Sequence, residues 1–250
     1  MVRATAARVH QGDEKFVGLI PSFAASLRQD FVALIAEIKR SSPSKGVIRH
    51  DLDAGRQAAE FERGKASAIS VLTEPLRFGG SPMDIAQVKT VSSLPILKKD
   101  FHTTPEHILA AKAMGASAAL LIVRAVPPQR LRECIVVAHE NAIDLLVEVH
   151  REEELDLALA SGASIIGVNA RNLETLEMDE TVHERLIPKI PRNVIAVAES
   201  GMTWRVDVRR ASELGADAVL IGSSLSESED LPTLLKSLTT VARKSDVRPN

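Results

Sequence analysis

The sequence repeats one short unit four times, and this repetition constrains the fold more than any other feature. Residues 64–72, 115–123, 162–170 and 215–223 each begin with a glycine and continue into a run of small and β-favouring apolar residues. The residues before each glycine carry apolar side chains at helical spacing. A helix that ends at glycine and leads through a short loop into a buried strand is the αβ junction of a parallel sheet.

Four further segments of strand character alternate with these units, at residues 33–39, 94–100, 144–150 and 193–200. A helix-compatible segment follows each of the eight predicted strands, and no linker divides the chain. Eight βα units in 250 residues match the α/β fold called the (β/α)8 or TIM barrel in both number and length. The alternative is a doubly wound open sheet, which usually has fewer strands and a glycine-rich nucleotide turn that is missing here.

The first residues of the chain fall outside the eight units. We expect one barrel domain over residues 32–250, preceded by an N-terminal helical extension over residues 1–31. Within this extension, residues 16–30 predict an amphipathic helix. That helix would lie near the N-terminal face of the barrel or over its mouth.

Composition excludes several classes of protein. The net charge is −2 and aromatic residues make up 3% of the chain, which argues against a nucleic-acid partner. The single cysteine, Cys134, excludes an internal disulfide and a thiolate metal cluster, and it fits a reducing compartment. No stretch approaches the ~20 apolar residues of a membrane span, and the N-terminus lacks the apolar core of a signal peptide. We expect a cytoplasmic monomer without a membrane partner.

Polar and charged residues gather at the carboxyl ends of the predicted strands, where barrels of this class carry their functional groups. A ring of structural salt bridges is the alternative interpretation, but the number of groups on one rim favours an active site. Phe78 belongs to the loop after the second strand. The others are Glu37, Lys39 and Ser42 on strand 1, Lys99, Asp100 and Phe101 on strand 3, Glu148 on strand 5, Asn169 and Arg171 on strand 6, Glu199 and Ser200 on strand 7, and Gly222 and Ser223 on strand 8.

Two turns predict a phosphate site. Residues 199–202 and 221–224 are small and rich in Gly and Ser, and they follow strands 7 and 8, where barrels commonly bind phosphate through backbone N–H groups. Ordinary turn chemistry is the alternative. Ser42 and Lys39 could complete the site, because strand 1 neighbours strand 8 in a closed barrel.

The histidines do not predict a metal site. None of the seven forms a His-x-x-x-His pair. His150 follows Glu148 by two residues and shares its face of the strand. We expect it to be hydrogen-bonded or at the surface rather than a ligand.

Six segments resemble, in order, the indole-3-glycerol-phosphate synthase family of tryptophan biosynthesis: 36–46, 95–101, 145–150, 166–177, 197–202 and 220–225. The resemblance runs from about Phe31 to the C-terminus, and it is most specific at 36–46 and 169–177. It implies cyclisation of a sugar phosphate, 1-(o-carboxyphenylamino)-1-deoxyribulose 5-phosphate, to indole-3-glycerol phosphate. CO₂ and water are lost, and no cofactor or metal is used.

The resemblance also implies roles for individual residues. Lys99 resembles the general acid that protonates the ketose oxygen, while Lys39 and Glu37 resemble groups that bind near the phosphate and ribulose and assist dehydration. Glu148 resembles a second acid–base carboxylate. The positioning groups would be Asn169, Glu199, Ser200 and Arg171, the phosphate ligands Ser42, Gly201, Gly222 and Ser223, and the apolar slot Phe78, Phe101, Leu120, Leu173 and Leu220.

A lysine that acts as an acid near neutral pH is expected to have a lowered pKa, and Lys39 is the candidate second cation beside Lys99. The nearest rival activity is the ketose-forming isomerase of the same pathway. Its chemistry would require a thiol, yet Cys134 falls in a predicted helix away from any strand end. The remaining alternative is a non-catalytic or redesigned phosphate-binding barrel.

Overall fold

The structure is a computed structural model that describes residues 16–172 and 175–250. Eight parallel strands close into a barrel, in which β1 is hydrogen-bonded to both β2 and β8. The predicted (β/α)8 fold is therefore confirmed, and the open doubly wound sheet is wrong. The strands are β1 Ala33–Ile38, β2 Ala68–Leu72, β3 Ile96–Lys99, β4 Ala118–Ile122, β5 Asp144–Val149, β6 Ile165–Asn169, β7 Ile195–Glu199 and β8 Ala218–Ile221.

A helix follows each strand of the barrel, and each lies within a segment that the sequence predicts to be helical. The helices are α1 Ala54–Arg63, α2 Met83–Val91, α3 Pro105–Ala113, α4 Pro128–Glu140, α5 Glu152–Ala160, α6 Val182–Leu186, α7 Arg205–Glu213 and α8 Leu231–Leu238. Shorter elements lie in the connections. They are the helices Phe23–Ser26, Pro75–Phe78 and Ser223–Glu227, the 3₁₀ turns Val123–Ala125, Ile187–Lys189 and Ser245–Val247, and a hairpin of Ser41–Ser42 with Gly46–Val47.

The apolar residues form two separate layers, because the side chains of each strand alternate between the two faces of the barrel wall. The outer layer fills the space between strands and helices, and it includes Leu34, Ile69, Leu121 and Phe61. The inner layer fills the barrel itself. Consequently the strands are buried on both faces, and a polar inward side chain is unusual.

The first αβ junction differs from the other three in one respect. Gly64 has an ordinary φ of −76°, and Lys65 takes the left-handed conformation with φ of 62°. Gly64 is required for a different reason, since a Cβ atom there would clash with the side chain of Leu235 in α8. The glycine therefore permits close packing of α8 on this corner.

The N-terminal end of the barrel is closed by the short helix Phe23–Ser26. The side chains of Phe23 and Leu27 pack into the inner apolar layer, and the Ala24 N–H donates to Asp144 Oδ2 over 2.9 Å. The helix is shorter than the predicted 16–30 because Pro21 disfavours helical geometry before it and Ser22 caps its start. The short helix of the extension thus lies at the N-terminal face, while residues 1–15 are outside the described residues.

Within the described part of the chain, no helix has both the length and the apolar character that a membrane span requires.

The C-terminal tail is held to the barrel by one buried carboxylate. Asp217, immediately before β8, binds Arg243 Nη1 through Oδ1 at 2.6 Å and Arg248 Nη2 through Oδ2 at 2.5 Å. Oδ2 also accepts the Ala196 N–H at 2.8 Å. Arg248 is buried, so its guanidinium depends on this partner for charge compensation.

We predict that Asp217→Ala lowers the free energy of unfolding by ~3–5 kcal/mol, because removing one partner of a buried ion pair leaves an uncompensated charge. Urea denaturation measures the effect. Glu213→Ala is the matched control, since it removes the carboxylate of an exposed pair with Lys244 and should cost at most ~1 kcal/mol. Equal losses in the two variants would contradict a special role for Asp217.

Candidate active site

Four ionisable side chains form one layer at the carboxyl end of the barrel. Glu37, Lys99, Glu148 and Glu199 come from β1, β3, β5 and β7, and alternate strands of such a barrel contribute side chains to the same layer. The residues two positions earlier on these strands face the same way and are apolar: Ile35, Leu97, Leu146 and Val197. The charged layer therefore lies directly on an apolar one, which excludes water from its inner side.

Lys99 is the centre of this layer. Its Nζ lies 2.6 Å from Glu199 Oε2, on the opposite strand, and 3.8 Å from Glu37 Oε2. Burial alone would lower the pKa of Lys99, but the carboxylates of Glu199, Glu37 and Glu148 outweigh it and raise the pKa well above its usual value. The expectation of a lowered pKa is therefore wrong. Carboxylates surround Lys99. The positive charge of Lys39, which was expected to lower this pKa, is offset by the carboxylate of Glu37 at 3.5 Å.

Glu199 is only 1% exposed. Burial raises the pKa of its carboxyl; the ammonium of Lys99 opposes this, and repulsion from Glu148 and Glu37 adds to it. Its Oε1 has no hydrogen-bond partner among the described residues. Glu199 is consequently a carboxyl that can take up a proton near neutral pH.

Space for two of the carboxylates is made by glycines on neighbouring strands. A Cβ atom on Gly167 of β6 would overlap Glu199 Oε1, and one on Gly222 would lie 2.7 Å from Glu37 Oε1. Glu37 also accepts a hydrogen bond at 3.1 Å from Ser70 Oγ on β2. These contacts determine where both carboxylates can lie.

Asn169 and Ser200 form a pair at the ends of β6 and β7. Ser200 Oγ donates to Asn169 Oδ1 at 2.7 Å, and the Arg171 N–H donates to the same oxygen at 2.9 Å. Ser200 has a positive φ of 62°, an uncommon conformation for a non-glycine residue that concentrates at functional sites. The expectation that Arg171 pairs with rim carboxylates differs from the structure. Its Nη1 donates to the Leu176 carbonyl at 2.8 Å, because residues 171 and 178 form a β-bridge that turns the loop back.

The two turns of the predicted phosphate site are adjacent, because β8 lies between β7 and β1 in the barrel. Gly201 has a positive φ of 73°, and Gly222 precedes the short helix that begins at Ser223. On the other side, the hairpin after β1 brings Ser42 towards them. Lys45 in this hairpin forms an exposed ion pair at 2.7 Å with Glu227 of the short helix.

These groups open into one cavity of about 610 Å³. Glu199 does not line it and instead lies behind Lys99. Leu173, a predicted member of the apolar slot, is outside the described residues. The predicted residues that line the cavity are Glu37, Lys39, Ser42, Phe78, Lys99, Asp100, Phe101, Leu120, Glu148, Asn169, Arg171, Ser200, Gly201, Leu220, Gly222 and Ser223.

Sequence reasoning missed several residues at the cavity. Leu72, Ile122 and Met178 extend the apolar wall, and strand alternation from Leu120 could have identified Ile122. His183 also lines the cavity, and its Nε2 lies 3.0 Å from the Val168 carbonyl and 3.1 Å from the Glu199 carbonyl. No sequence signal marked this histidine, because α6 reads as an ordinary helix.

Cys134 lies in α4, in the outer apolar layer, and does not line the cavity. Burial raises the pKa of its thiol to about 11. The thiol chemistry of the rival isomerase therefore has no group at this site. In residues 16–172 and 175–250, no group of three His, Cys, Asp or Glu side chains is arranged to hold a metal ion.

Comparison with known sequences identifies one family. A family model described as indole-3-glycerol phosphate synthase matches residues 4–238. The chain is 45% identical over 218 residues to an indole-3-glycerol phosphate synthase of Dehalococcoides mccartyi strain CBDB1, covering 86% of this chain and 84% of the relative. It is 44% identical over 224 residues to indole-3-glycerol phosphate synthase 1 of Streptomyces coelicolor, with coverages of 90% and 83%.

Solved structures resemble the chain in fold. Thiamine phosphate pyrophosphorylase from Pyrococcus furiosus matches with a TM-score of 0.59 at 15% identity, covering 85% of this chain and 95% of that one. A chain from the tryptophan synthase a2b2 complex of Pyrococcus furiosus matches with a TM-score of 0.57 at 16% identity, with coverages of 84% and 98%. At these identities the likeness shows the barrel alone.

We predict that Gly167→Ala lowers turnover by ~10²-fold, because a displacement of about 1 Å at a reacting group can cost this much. The added methyl would push the end of the Glu199 side chain away from Lys99, while the backbone of β6 keeps its place. Steady-state kinetics measures the turnover, and thermal unfolding shows whether the variant remains folded. Gly55→Ala in α1 is the control, since its nearest contact is 3.5 Å. Normal turnover in Gly167→Ala would show that the position of Glu199 is unimportant.

The raised pKa of Glu199 predicts pH-dependent stability in Lys99→Met. A carboxyl whose pKa is higher in the folded state than in the unfolded state binds more protons when folded, so stability falls as pH rises above about 4.5. Without the ammonium of Lys99 the pKa of Glu199 rises further. The stability deficit of Lys99→Met should therefore grow once the pH exceeds about 7, the pKa of Glu199 beside Lys99, and it should be larger at about pH 8 than at about pH 5 by up to about 1.4 kcal/mol.

Urea denaturation at both pH values measures this deficit. The double variant Lys99→Met/Glu199→Gln is the control, because it has no carboxyl to ionise at position 199, and its free energy of unfolding should vary less with pH than that of Lys99→Met. A deficit of Lys99→Met that is constant across the range would contradict the assignment to Glu199.

Proposed function

The chain belongs to the indole-3-glycerol phosphate synthase family, and we propose a role in the reaction for each side chain at the mouth of the barrel. The enzyme is a decarboxylating lyase of tryptophan biosynthesis. It cyclises 1-(o-carboxyphenylamino)-1-deoxyribulose 5-phosphate to indole-3-glycerol phosphate with loss of CO₂ and water. The observation that carries the proposal is the buried layer of one lysine and three glutamates at the end of a cavity of about 610 Å³.

We infer that the substrate phosphate binds at the turns after β7 and β8. Gly201, Gly222 and Ser223 would offer backbone N–H groups, and Ser42 would add a hydroxyl from the β1 hairpin. All four line the cavity, and the three strands that they follow, β7, β8 and β1, are neighbours in the barrel. The aromatic ring would lie in the apolar slot formed by Phe78, Phe101, Leu120 and Leu220, with Leu173 as a further proposed wall. This arrangement places the ketose between the two subsites, at the charged layer.

Lys99 is proposed as the acid for ring closure. When the ring carbon that bears the carboxylate attacks the ketose carbonyl, negative charge develops on the oxygen. A cation fixed beside this oxygen in a site shielded from water stabilises the charge before any proton moves. The raised pKa of Lys99 keeps it charged at neutral pH. An alkoxide is far more basic than an ammonium ion, so transfer of the proton remains favourable, and decarboxylation then restores the aromatic ring.

Glu148 is proposed to stabilise the positive charge that forms on the substrate nitrogen and to act as the second acid–base group. Its carboxylate is 2% exposed and lines the cavity opposite Glu37. Glu37 and Lys39 lie 3.5 Å apart and are proposed to assist the loss of water near the ribulose. Asn169 and Ser200 would orient the substrate through their hydrogen-bonded pair. Glu199 would hold Lys99 in place from behind.

We further propose that the enzyme acts in the cytosol as a monomer. The supporting observation is that the chain has one cysteine, Cys134, which lies buried in the outer layer. A buried thiol without a partner suits a reducing compartment.

Lys99→Met tests the proposed acid. The methionine keeps the length of the side chain and removes the cation, so turnover should fall by ~10²–10⁴, the usual contribution of a positioned general acid. Affinity for indole-3-glycerol phosphate should change far less, because the phosphate ligands are on other strands. Fluorescence of the indole product measures turnover, and a titration with the product measures affinity.

Lys236→Met changes an exposed lysine on α8 and is the matched control. Its turnover and its affinity for the product should equal those of the unaltered enzyme. Near-normal turnover in Lys99→Met would show that another group is the general acid, with Lys39 as the first candidate. Equal losses of affinity and turnover would make Lys99 a binding residue.

A further inference from the structure

A histidine lies directly behind one of the proposed acid–base groups. His150 Nε2 is 3.4 Å from Glu148 Oε1, and the imidazole is 7% exposed and does not line the cavity. Glu148 Oε1 and both ring nitrogens of His150 are buried atoms without a formed hydrogen bond among the described residues. The histidine is therefore the group best placed to hold this oxygen.

A second carboxylate lies on the other side of the imidazole. His150 Nδ1 lies 3.6 Å from Glu154 Oε2, and the same oxygen accepts the His150 backbone N–H at 2.7 Å. Glu154 Oε1 accepts from Arg124 Nε at 3.0 Å. Burial alone would raise the pKa of Glu154, but the hydrogen bonds from His150 and the nearby Arg124 lower it to about 2. Glu154 is thus a fixed anion that anchors the ring.

The charges of the layer favour a donor at this place. Three carboxylates, those of Glu37, Glu148 and Glu199, face two ammonium groups, those of Lys39 and Lys99. The pair of Arg124 with Glu154 is neutral by itself. An imidazole N–H at Nε2 can donate to Glu148, and one at Nδ1 can donate to Glu154.

We propose that His150 is a positioning residue, which holds the Glu148 carboxylate at the cavity wall through Nε2 while Glu154 anchors its Nδ1 side. This proposal rests on the acid–base role of Glu148 proposed above. A carboxylate without such a donor could rotate away from the substrate nitrogen or turn towards Lys99. Buried polar atoms without a partner are costly, so both groups gain from the contact.

Two substitutions at position 150 separate the proposed contacts. The amide nitrogen of glutamine extends to about the place of Nε2, and that of asparagine to about the place of Nδ1. His150→Gln can therefore still donate to Glu148, whereas His150→Asn can donate only towards Glu154. We expect kcat of His150→Asn to fall by ~10–10²-fold with KM within about threefold, and His150→Gln to keep most of the turnover.

The controls exclude a general loss of structure. His139→Asn changes an exposed histidine on α4 and should leave kcat unchanged. Thermal unfolding is measured for every variant. If His150→Asn and His150→Gln lose turnover equally, in parallel with their melting temperatures, the role of His150 is structural and the proposal is overturned.

A double-mutant cycle with Glu148→Gln tests whether His150 acts through Glu148. In that background His150→Asn should cost little further turnover, since residues that act as a unit are non-additive. The same cost in both backgrounds would overturn the proposal.

The ¹⁵N NMR signals of the imidazole report the contact without reference to catalysis. They should move in Glu148→Gln and in Glu154→Gln, while those of His139 should not, and unchanged His150 signals would overturn the proposal. If Glu148→Gln retains turnover, the role of Glu148 is wrong and the positioning role falls with it. The NMR shifts would still show that the two side chains are in contact.

Discussion

The ion pair between Lys99 and Glu199 spans the mouth of the barrel, and the properties of the active site depend on it. The two residues lie on opposite strands, β3 and β7, and their 2.6 Å contact is buried above an apolar layer. Because burial weakens the screening of these charges, the nearby carboxylates raise the pKa of Lys99 and add to the rise in the pKa of Glu199. Lys99 consequently remains an ammonium ion, while Glu199 becomes a carboxyl that binds a proton more readily than usual.

Such a layer requires space, and the barrel supplies it with small residues on the neighbouring strands. Gly167 and Gly222 leave room for the ends of Glu199 and Glu37, and Ser70 contributes a donor without bulk. The even-numbered strands therefore shape the cavity, while the odd-numbered strands carry most of the charge. A substitution on an even-numbered strand therefore displaces side chains of the odd-numbered strands, because interior packing leaves little free volume.

Stability and chemistry are concentrated at opposite ends of the barrel. The amino end is closed by Phe23 and Leu27, and the tail is held there by the ion pairs of Asp217 with Arg243 and Arg248. The carboxyl end keeps unsatisfied polar atoms, among them Glu148 Oε1 and Glu199 Oε1. Such atoms reduce stability where they lie, and the apolar packing and ion pairs of the amino end offset part of this cost.

The sequence by itself determined the eight βα units, the rim positions of the charged residues and the family, because strand alternation and parallel topology send these side chains to one end. It did not determine the short N-terminal helix, the turn of Arg171 away from the rim, or the contacts of His150 and His183. It also suggested a lowered pKa for Lys99, which is wrong. Only the tertiary structure decided these points, since a pKa depends on the sum of burial and neighbouring charges from strands that are far apart in the chain.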